Sequence, residues 1–362
     1  MSRGQPARNA PRAFCGACFP WPLINELAVG AEVVACYLLL EKRPAVKKDG
    51  SPFLTLVLAD RTGAIDAKLW DGVDVLGPLC EPDAVLGVRG RVGEYQGKLQ
   101  LTVSALERLE PEEGDWERLL PASPRERAQM HKELDALIAS VEDAPLRALL
   151  RRCLGRGTEL GRRFREHPAA KRNHHAYLYG LLEHTVSVAS MCDRLAEHYA
   201  ASGVSLDRDL LVTGALLHDL GKLDELKERP GAGYTTAGHL LGHIVLGIQR
   251  VSAEAEHVAG LSAERLLLLL HLIASHQGKP EWDSPKVPQI LEALILHYAD
   301  DLDAKLNQAG ALLAGVRAGE WSAYDRALAR SFFRAPELPR GAELEQVEPR
   351  EVAALFMDLF PG

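Results

Sequence analysis

The sequence predicts two folded parts of different class, a five-stranded all-β barrel followed by an all-helical domain. Three observations predict it. Between residues 28 and 110, short runs rich in Val, Leu and aromatics alternate with turn signals. From Pro111 to Pro124 the composition shifts to Glu, Pro and Gly. Beyond that stretch apolar residues recur at helical spacing. The expected boundaries are a flexible N-terminal tail at 1–22, the barrel at 23–112, a linker at 113–124, the helical domain at 125–335 and a C-terminal tail at 336–362.

The first 22 residues are rich in Pro, Arg and Ala and lack periodicity. Cys15 and Cys18 form a lone CxxC. A structural zinc site needs four ligands, and no second CxxC or HxxxH stands nearby, so two thiols in a loose arm is the preferred reading.

The expected strands are Ala31–Leu40, Phe53–Ala59, Ala64–Trp70, Ala84–Val92 and Lys98–Leu106. Lys48-Asp49-Gly50, Asp60-Arg61-Thr62-Gly63 and Tyr95-Gln96-Gly97 supply turns between them. Five strands in so short a span fit an OB-fold, whose usual task is to grip single strands or sugars. Basic residues fall where loops are expected: Lys42, Arg43, Lys47 and Lys48, then Arg89 and Arg91. Phe53, Trp70 and Tyr95 are candidate stacking platforms for bases. Barrel core is an equally good reading of Phe53 and Trp70.

After the linker, Arg125–Val141 and Pro145–Leu154 read as helices. Nine basic residues between Arg147 and Arg172 face only Glu159 and Glu166, which suits either a polyanion path or a solvated helix face. Residues 311–362 read as helical and then irregular, with no chemistry in them. The totals are those of a globular chain: 47% apolar, 25% charged, net charge −8. An acidic total argues against coating nucleic acid by bulk charge but leaves room for a local basic groove. Six scattered cysteines suit buried thiols in a reducing compartment, and no apolar run reaches the roughly 18 residues of a membrane span. The expectation is a cytoplasmic protein without a membrane partner.

The strongest local signal is Leu216-Leu217-His218-Asp219-Leu220-Gly221-Lys222. An ionised Asp in an apolar helical context needs a paired charge or a cation. A neighbouring imidazole adds a nitrogen ligand, and Lys222 stands where an ammonium reaches a bound phosphate. His184 shares an inward stripe with Leu181, Val188, Cys192 and Leu195. His239 and His243 stand four apart, His271 and His276 follow, and His297-Tyr298-Ala299-Asp300-Asp301-Leu302-Asp303 lies in a helix that reads as apolar nearly all round, hence central and buried. Periodicity leaves open whether Asp300 or Asp301 faces a site.

The order His184, His218-Asp219 and an Asp near 300 resembles the HD superfamily of metal phosphohydrolases. Further stretches resemble one branch of it, the YhaM-type 3′–5′ exoribonucleases, in which an OB-fold precedes an HD domain. They are Pro52-Phe53-Leu54-Thr55-Leu56, Ala67-Lys68-Leu69-Trp70, His174-His175-Ala176-Tyr177, Gly180 through Thr185, Leu241-Gly242-His243-Ile244, Ser275-His276 and His297 through Lys305. The resemblance implies His184, His218, Asp219 and Asp300 as metal ligands, with His243 and His276 completing a second position and Asp219 as the bridge. Asp300 is preferred to Asp301 on the resemblance alone. It implies two divalent ions that clamp a phosphodiester and activate water, Mn²⁺ preferred, with Co²⁺, Fe²⁺, Mg²⁺ or Zn²⁺ also compatible with nitrogen and oxygen donors. On this resemblance Asp219 and Lys222 are expected to carry the catalytic roles. Lys47, Lys48, Phe53, Trp70, Arg91, Tyr95, His174 and His175 are the candidate contacts to single-stranded RNA or DNA. The oligomeric state is left open, a homo-oligomer included. The chain departs from the family pattern where it has Gln277 after His276, His239 in place of a frequent Lys, and Tyr179 in place of a frequent Gly. Two other readings compete, a nucleotide or cyclic-nucleotide phosphohydrolase and a non-catalytic nucleic-acid-binding protein.

Overall fold

A computed structural model describes residues 21–111, 115–170, 175–229, 232–282 and 284–336. Cys15, Cys18, His174 and the expected C-terminal tail from 337 onward lie outside the described residues. The chain forms two units, 1–304 and 305–362.

Five strands open the first unit: β1 (Glu32–Val46), β2 (Pro52–Asp60), β3 (Gly63–Leu69), β4 (Val85–Tyr95) and β5 (Lys98–Leu109). They close into a barrel in the order β1-β2-β3-β5-β4, with β3 and β5 parallel and the other pairs antiparallel. This is the expected OB-fold. Closure rests on the length of β1, whose first half pairs with β4 and whose second half pairs with β2 across a register shift between Leu39 and Glu41. Such a shift bends a strand and lets it serve two neighbours. Leu54, Leu56 and Leu58 alternate inward along β2 and meet Leu69, Leu86 and Leu101 in the interior. The strands run further than the sequence suggested. Lys42 and Arg43 therefore stand on β1, not on a loop, because ladder pairing continues past the apolar run that marks the core, and Arg89 and Arg91 stand on β4 within the expected strand Ala84–Val92. Lys47 and Lys48 do occupy the β1–β2 turn. A short helix α1 (Val73–Leu76) leads from β3 to β4.

The helical part begins with α2 (Trp116–Leu119) and continues through α3 (Arg127–Ser140), α4 (Ala144–Leu154), α5 (Glu159–Glu166), α6 (Gly180–Ala201), α7 (Arg208–Leu217), α8 (Lys222–Glu225), α9 (Thr236–Ala255), α10 (Ala263–Ser275) and α11 (Leu291–Leu313). Side-chain caps fix several starts: Asp207 accepts from Leu210 N at 2.9 Å, Thr235 from Gly238 N at 2.9 Å and Ser262 from Arg265 N at 3.1 Å. Helices α6, α7, α9 and α10 share one core with Leu181, Leu211, Leu216 and Leu272 at its centre. Cys36, Leu38 and Val85 of the barrel belong to that same core beside Leu119 and Leu120. The basic stretch from Arg147 onward is largely spent on internal partners: Arg152 with Glu254, Arg156 and buried Arg165 with Asp135, Arg162 with Glu159, and Arg163 with Glu228.

Two expectations about the C-terminal helices are corrected. Helix α11 is not buried all round: Ala293, Leu296, His297 and Ala299 face the core, while Leu291, Leu294 and Leu302 are 50%, 44% and 46% exposed. Apolar residues on both faces of a helix mark burial only where a second layer covers the outer one. In the second unit α11 ends at Leu313, and no further helix follows among the described residues. The described residues beyond it form bridges Trp321–Phe333 and Asp325–Arg330.

Tyr179 precedes α6 with φ +65°, a left-handed conformation that glycine adopts freely and that costs a bulky residue about 1–2 kcal/mol. This explains a glycine at the position in the resembled family. Here the ring is buried, and its hydroxyl donates to Glu117 Oε1 at 2.6 Å and accepts from Arg127 Nη1 at 3.1 Å. Those bonds tie the start of α6 to α2 and α3 and hold the strained backbone in place. Tyr179→Phe is expected to lower the stability of the protein by about 1–2 kcal/mol in urea denaturation, with no change in secondary structure by circular dichroism.

Candidate metal centre

Asp219 follows the last turn of α7 and is 2% exposed. Four imidazoles present Nε2 to its carboxylate. His184 of α6 and His218 stand 3.4 and 3.3 Å from Oδ2, and His243 of α9 and His276 at the end of α10 each stand 3.7 Å from Oδ1. Asp300 of α11 adds Oδ1 at 3.1 Å from His184 Nε2 and 3.8 Å from His218 Nε2. The structure thus brings Asp300, not Asp301, to the cluster. Lys222 Nζ sits 2.6 Å from Asp219 Oδ2.

Each imidazole is held through its other nitrogen. His218 Nδ1 donates to Ala215 O and His276 Nδ1 to Ile273 O, both at 2.8 Å. His184 Nδ1 donates to Asp303 Oδ2 at 2.8 Å, and His243 Nδ1 to Glu225 Oε1 at 3.2 Å. Carbonyl and carboxylate oxygens only accept, so in each neutral imidazole the proton belongs on Nδ1 and the Nε2 lone pairs converge on Asp219. His184 Nε2 and His218 Nε2 are 3.2 Å apart. Lone pairs facing one another and a carboxylate repel unless positive charge stands between them. The site therefore suits divalent cations. Two triads, His184–His218–Asp219 and Asp219–His243–His276, have donor atoms within 4.8 Å of one another and share Asp219. Asp219 Oδ1 is buried and has no hydrogen-bond partner among the described residues, which is what a carboxylate reserved for a cation shows.

The electrostatics agree. Burial alone would push the Asp219 carboxyl up, but Lys222, His218 and His184 outweigh it and hold it well below the ordinary range. Burial pushes the His184 pKa down, yet bonds to Asp219, Asp300 and Asp303 raise it well above the usual value, so this spot attracts positive charge. Burial and the nearby His218 push His276 down to about 3, so it stays a neutral imidazole near pH 7.

Gly221 explains how the elements come so close. A Cβ there would lie 1.9 Å from His243 O and 2.4 Å from Gly247 N, so only glycine lets the turn after α7 touch α9. Gly242, with φ +70° and ψ 162°, interrupts α9 between His239 and His243. The expected four-residue helical relation between those histidines is lost: His243 turns into the cluster, and His239 is exposed against the Tyr234 ring at 5.1 Å. His271 points elsewhere and accepts from Gln289 N.

His175, expected to touch a strand, is 2% exposed and bonds Asp303 Oδ2 at 3.0 Å behind His184. A side chain with so little surface has none to offer a ligand in the cleft, so its place is support. Sequence reasoning gave no role to Asp303, Glu225 or Ser187, whose hydroxyl also bonds Asp303. The spacing carried one usable signal, since Asp303 stands three residues after Asp300 and so shares its helix face. Lys222, Glu225, His243 and Gln277 lie in the wall of a cleft of about 920 Å³ that Tyr234, His239 and Trp282 also line.

On the barrel, Phe53 and Trp70 stack at 4.5 Å with 26° between their planes. Lys68 stands over the Phe53 ring at 5.3 Å and Lys47 over Trp70 at 6.0 Å. Lys48 is exposed in the adjoining turn. Trp70 is 36% exposed, so the pair lies at the barrel surface. Tyr95 does not join it. It opposes Lys98 on β5, at the end of that strand lying beside the start of β3, roughly 20 Å along the strands from Trp70 at the usual rise per residue. Arg91 is exposed on β4 opposite Thr102, 4.0 Å from Glu32.

Asp303→Asn keeps the shape but weakens the acceptor that fixes the His184 ring. Divalent-metal affinity is expected to fall about 10- to 100-fold by isothermal titration, with the melting temperature of the metal-free protein within a few degrees of wild type.

Residues 181–305 match the family model of the HD domain, and residues 33–109 match that of the OB-fold nucleic acid binding domain. The 3′–5′ exoribonuclease YhaM of Geobacillus sp. (strain WCH70) is 38% identical over 315 residues, 86% of this chain and 94% of that protein. The YhaM proteins of Bacillus licheniformis and Bacillus subtilis are each 36% identical over 308 residues, 84% of this chain and 96% of theirs. Identity at that level, sustained through both the barrel and the helices that carry the histidines, places this chain in the YhaM 3′–5′ exoribonuclease family.

Proposed function

We propose that the protein is a divalent-metal-dependent 3′–5′ exoribonuclease that degrades single-stranded RNA to mononucleotides, with two ions, preferentially Mn²⁺, held by His184, His218, Asp219, Asp300, His243 and His276. One observation carries the reading: two donor triads share a buried carboxylate, and their outer edge lies in the wall of a cleft large enough for a nucleotide. Bound there, the ions would supply Lewis-acid polarisation of a phosphoryl group and a lowered pKa for water.

The chain's own residues do the rest. Asp303, Glu225 and two backbone carbonyls orient the four imidazoles before substrate arrives, so little reorganisation accompanies catalysis. Lys222 holds its ammonium on Asp219 and borders the cleft, where it balances charge that develops on phosphoryl oxygens. Exposed Tyr234, His239 and Trp282 offer faces for bases entering the cleft. The Phe53–Trp70 stack with Lys47 and Lys68 supplies a second grip of the kind that binds any base.

Metal-stripped protein with Mn²⁺ restored, given 3′- and 5′-labelled single-stranded RNA, tests the reading. Mononucleotides should leave from the 3′ end, stop on chelation and be absent with Asp219→Ala. Intact RNA alongside hydrolysis of a small phosphodiester would point instead to a nucleotide phosphohydrolase. Trp70→Ala should weaken RNA binding by about 1–3 kcal/mol, raising KM on a long RNA while kcat on saturating substrate holds.

A further inference from the structure

Gln277 directly follows His276 at the end of α10, at the rim of the second triad. Its amide nitrogen is 3.3 Å from His243 Nε2, and His243 Nδ1 is already committed to Glu225. Its Oε1 is buried without a hydrogen-bond partner among the described residues. Asp219 Oδ1, 3.7 Å from the Nε2 atoms of His243 and His276, is buried and unpartnered in the same way. The Gln277 amide and Asp219 Oδ1 thus stand 3.3 and 3.7 Å from the same atom, His243 Nε2, with His276 beside them.

We propose that Gln277 is itself a metal ligand through Oε1, completing a two-nitrogen, two-oxygen set with His243, His276 and Asp219, and that this set biases the position toward hard ions such as Mn²⁺ over Zn²⁺. The inference rests on the two-ion reading above. As the side chain stands, its NH₂ donates to the His243 Nε2 lone pair. A cation that takes the lone pair removes that acceptor and repels the NH₂. A half-turn about the last side-chain bond exchanges oxygen for nitrogen at almost the same place. The resulting oxygen would stand about 3.3 Å from His243 Nε2. Donors about 2.1 Å from one octahedral ion are about 3 Å apart, so the two atoms are spaced as neighbouring ligands. An amide oxygen is a harder donor than an imidazole nitrogen. Gln277 therefore gives the second position more of the character that suits Mn²⁺ or Mg²⁺.

The test uses metal-stripped full-length protein, titrated separately with Mn²⁺ and Zn²⁺ by calorimetry, with electron paramagnetic resonance to count bound Mn²⁺. Wild type should bind two Mn²⁺. Gln277→Ala should hold the first unchanged and the second at least tenfold more weakly. Gln277→Glu, which carries oxygen in both orientations, should retain the second. Gln277→His should shift the second position toward Zn²⁺ by at least tenfold relative to wild type. Two ions bound alike by wild type and Gln277→Ala would overturn the role of Gln277 while leaving the two-ion site standing. Gln277→Glu binding no better than Gln277→Ala would do the same. A wild type that binds fewer than two ions would overturn the two-ion reading, and this inference with it.

Discussion

A carboxylate withdrawn from water must be compensated, and the helical part of this protein is arranged around that requirement at Asp219. An uncompensated buried charge is costly enough that the group would take up a proton instead. Lys222 compensates it on one oxygen, and the other is left without a hydrogen bond. With Asp300 and Asp303 nearby, three carboxylates face one ammonium once the imidazoles are neutral, so the pocket then carries a deficit of positive charge that divalent cations would fill. In the same sense, burial opposes protonation of His184, yet its three carboxylate partners raise its pKa. The cluster is thereby a place where folding energy has been given up locally, and the shared apolar core of α6, α7, α9 and α10 offsets it.

The geometry follows from where each histidine sits on its helix. His218 and His276 both lie at helix C-termini and bond the carbonyl three residues earlier, a local contact that needs no other part of the chain. His184 lies inside α6, where carbonyls are already used by the i→i−4 ladder, and His243 opens the helical segment that follows the break at Gly242, its own N–H bonding Glu225. Their anchors are carboxylates from other elements, Asp303 and Glu225. A histidine at a helix C-terminus is thus oriented by its own turn, whereas the other two depend on tertiary packing. The close contact at Gly221 and the break at Gly242 are the backbone's part of the same arrangement, the one bringing α9 near and the other turning His243 inward.

This division also sets what was legible in the sequence. The barrel was legible because an inside and an outside alternate with period two, and turn residues separated its strands. His218, Asp219 and Lys222 stood out because local spacing places them together. His239 was misassigned to the face of His243 because a positive-φ glycine inside a helix leaves no trace in periodicity. The supporting carboxylates went unassigned because nothing local says that Glu225 reaches a histidine 18 residues away or that Asp303 reaches one 119 residues away. Likewise the composition of α11 could not show that its outer leucines go uncovered by the described residues.

On the proposed function, finally, the barrel would not bind by charge alone. Its cations largely have partners: Arg43 with Glu41, Lys47 with Asp71 at 3.1 Å, Lys68 with Thr55 at 2.7 Å, and Arg91 near Glu32. Phosphate contacts made by these groups would replace existing contacts, so the net electrostatic gain is smaller than a count of lysines and arginines suggests. The Phe53–Trp70 stack bears no such cost, since an exposed indole face gains from any base laid on it. In a chain of net charge −8, a grip weighted toward stacking reconciles an acidic protein with a polyanionic substrate. It also suits an exonuclease, which must accept every base in turn and gains nothing from reading one.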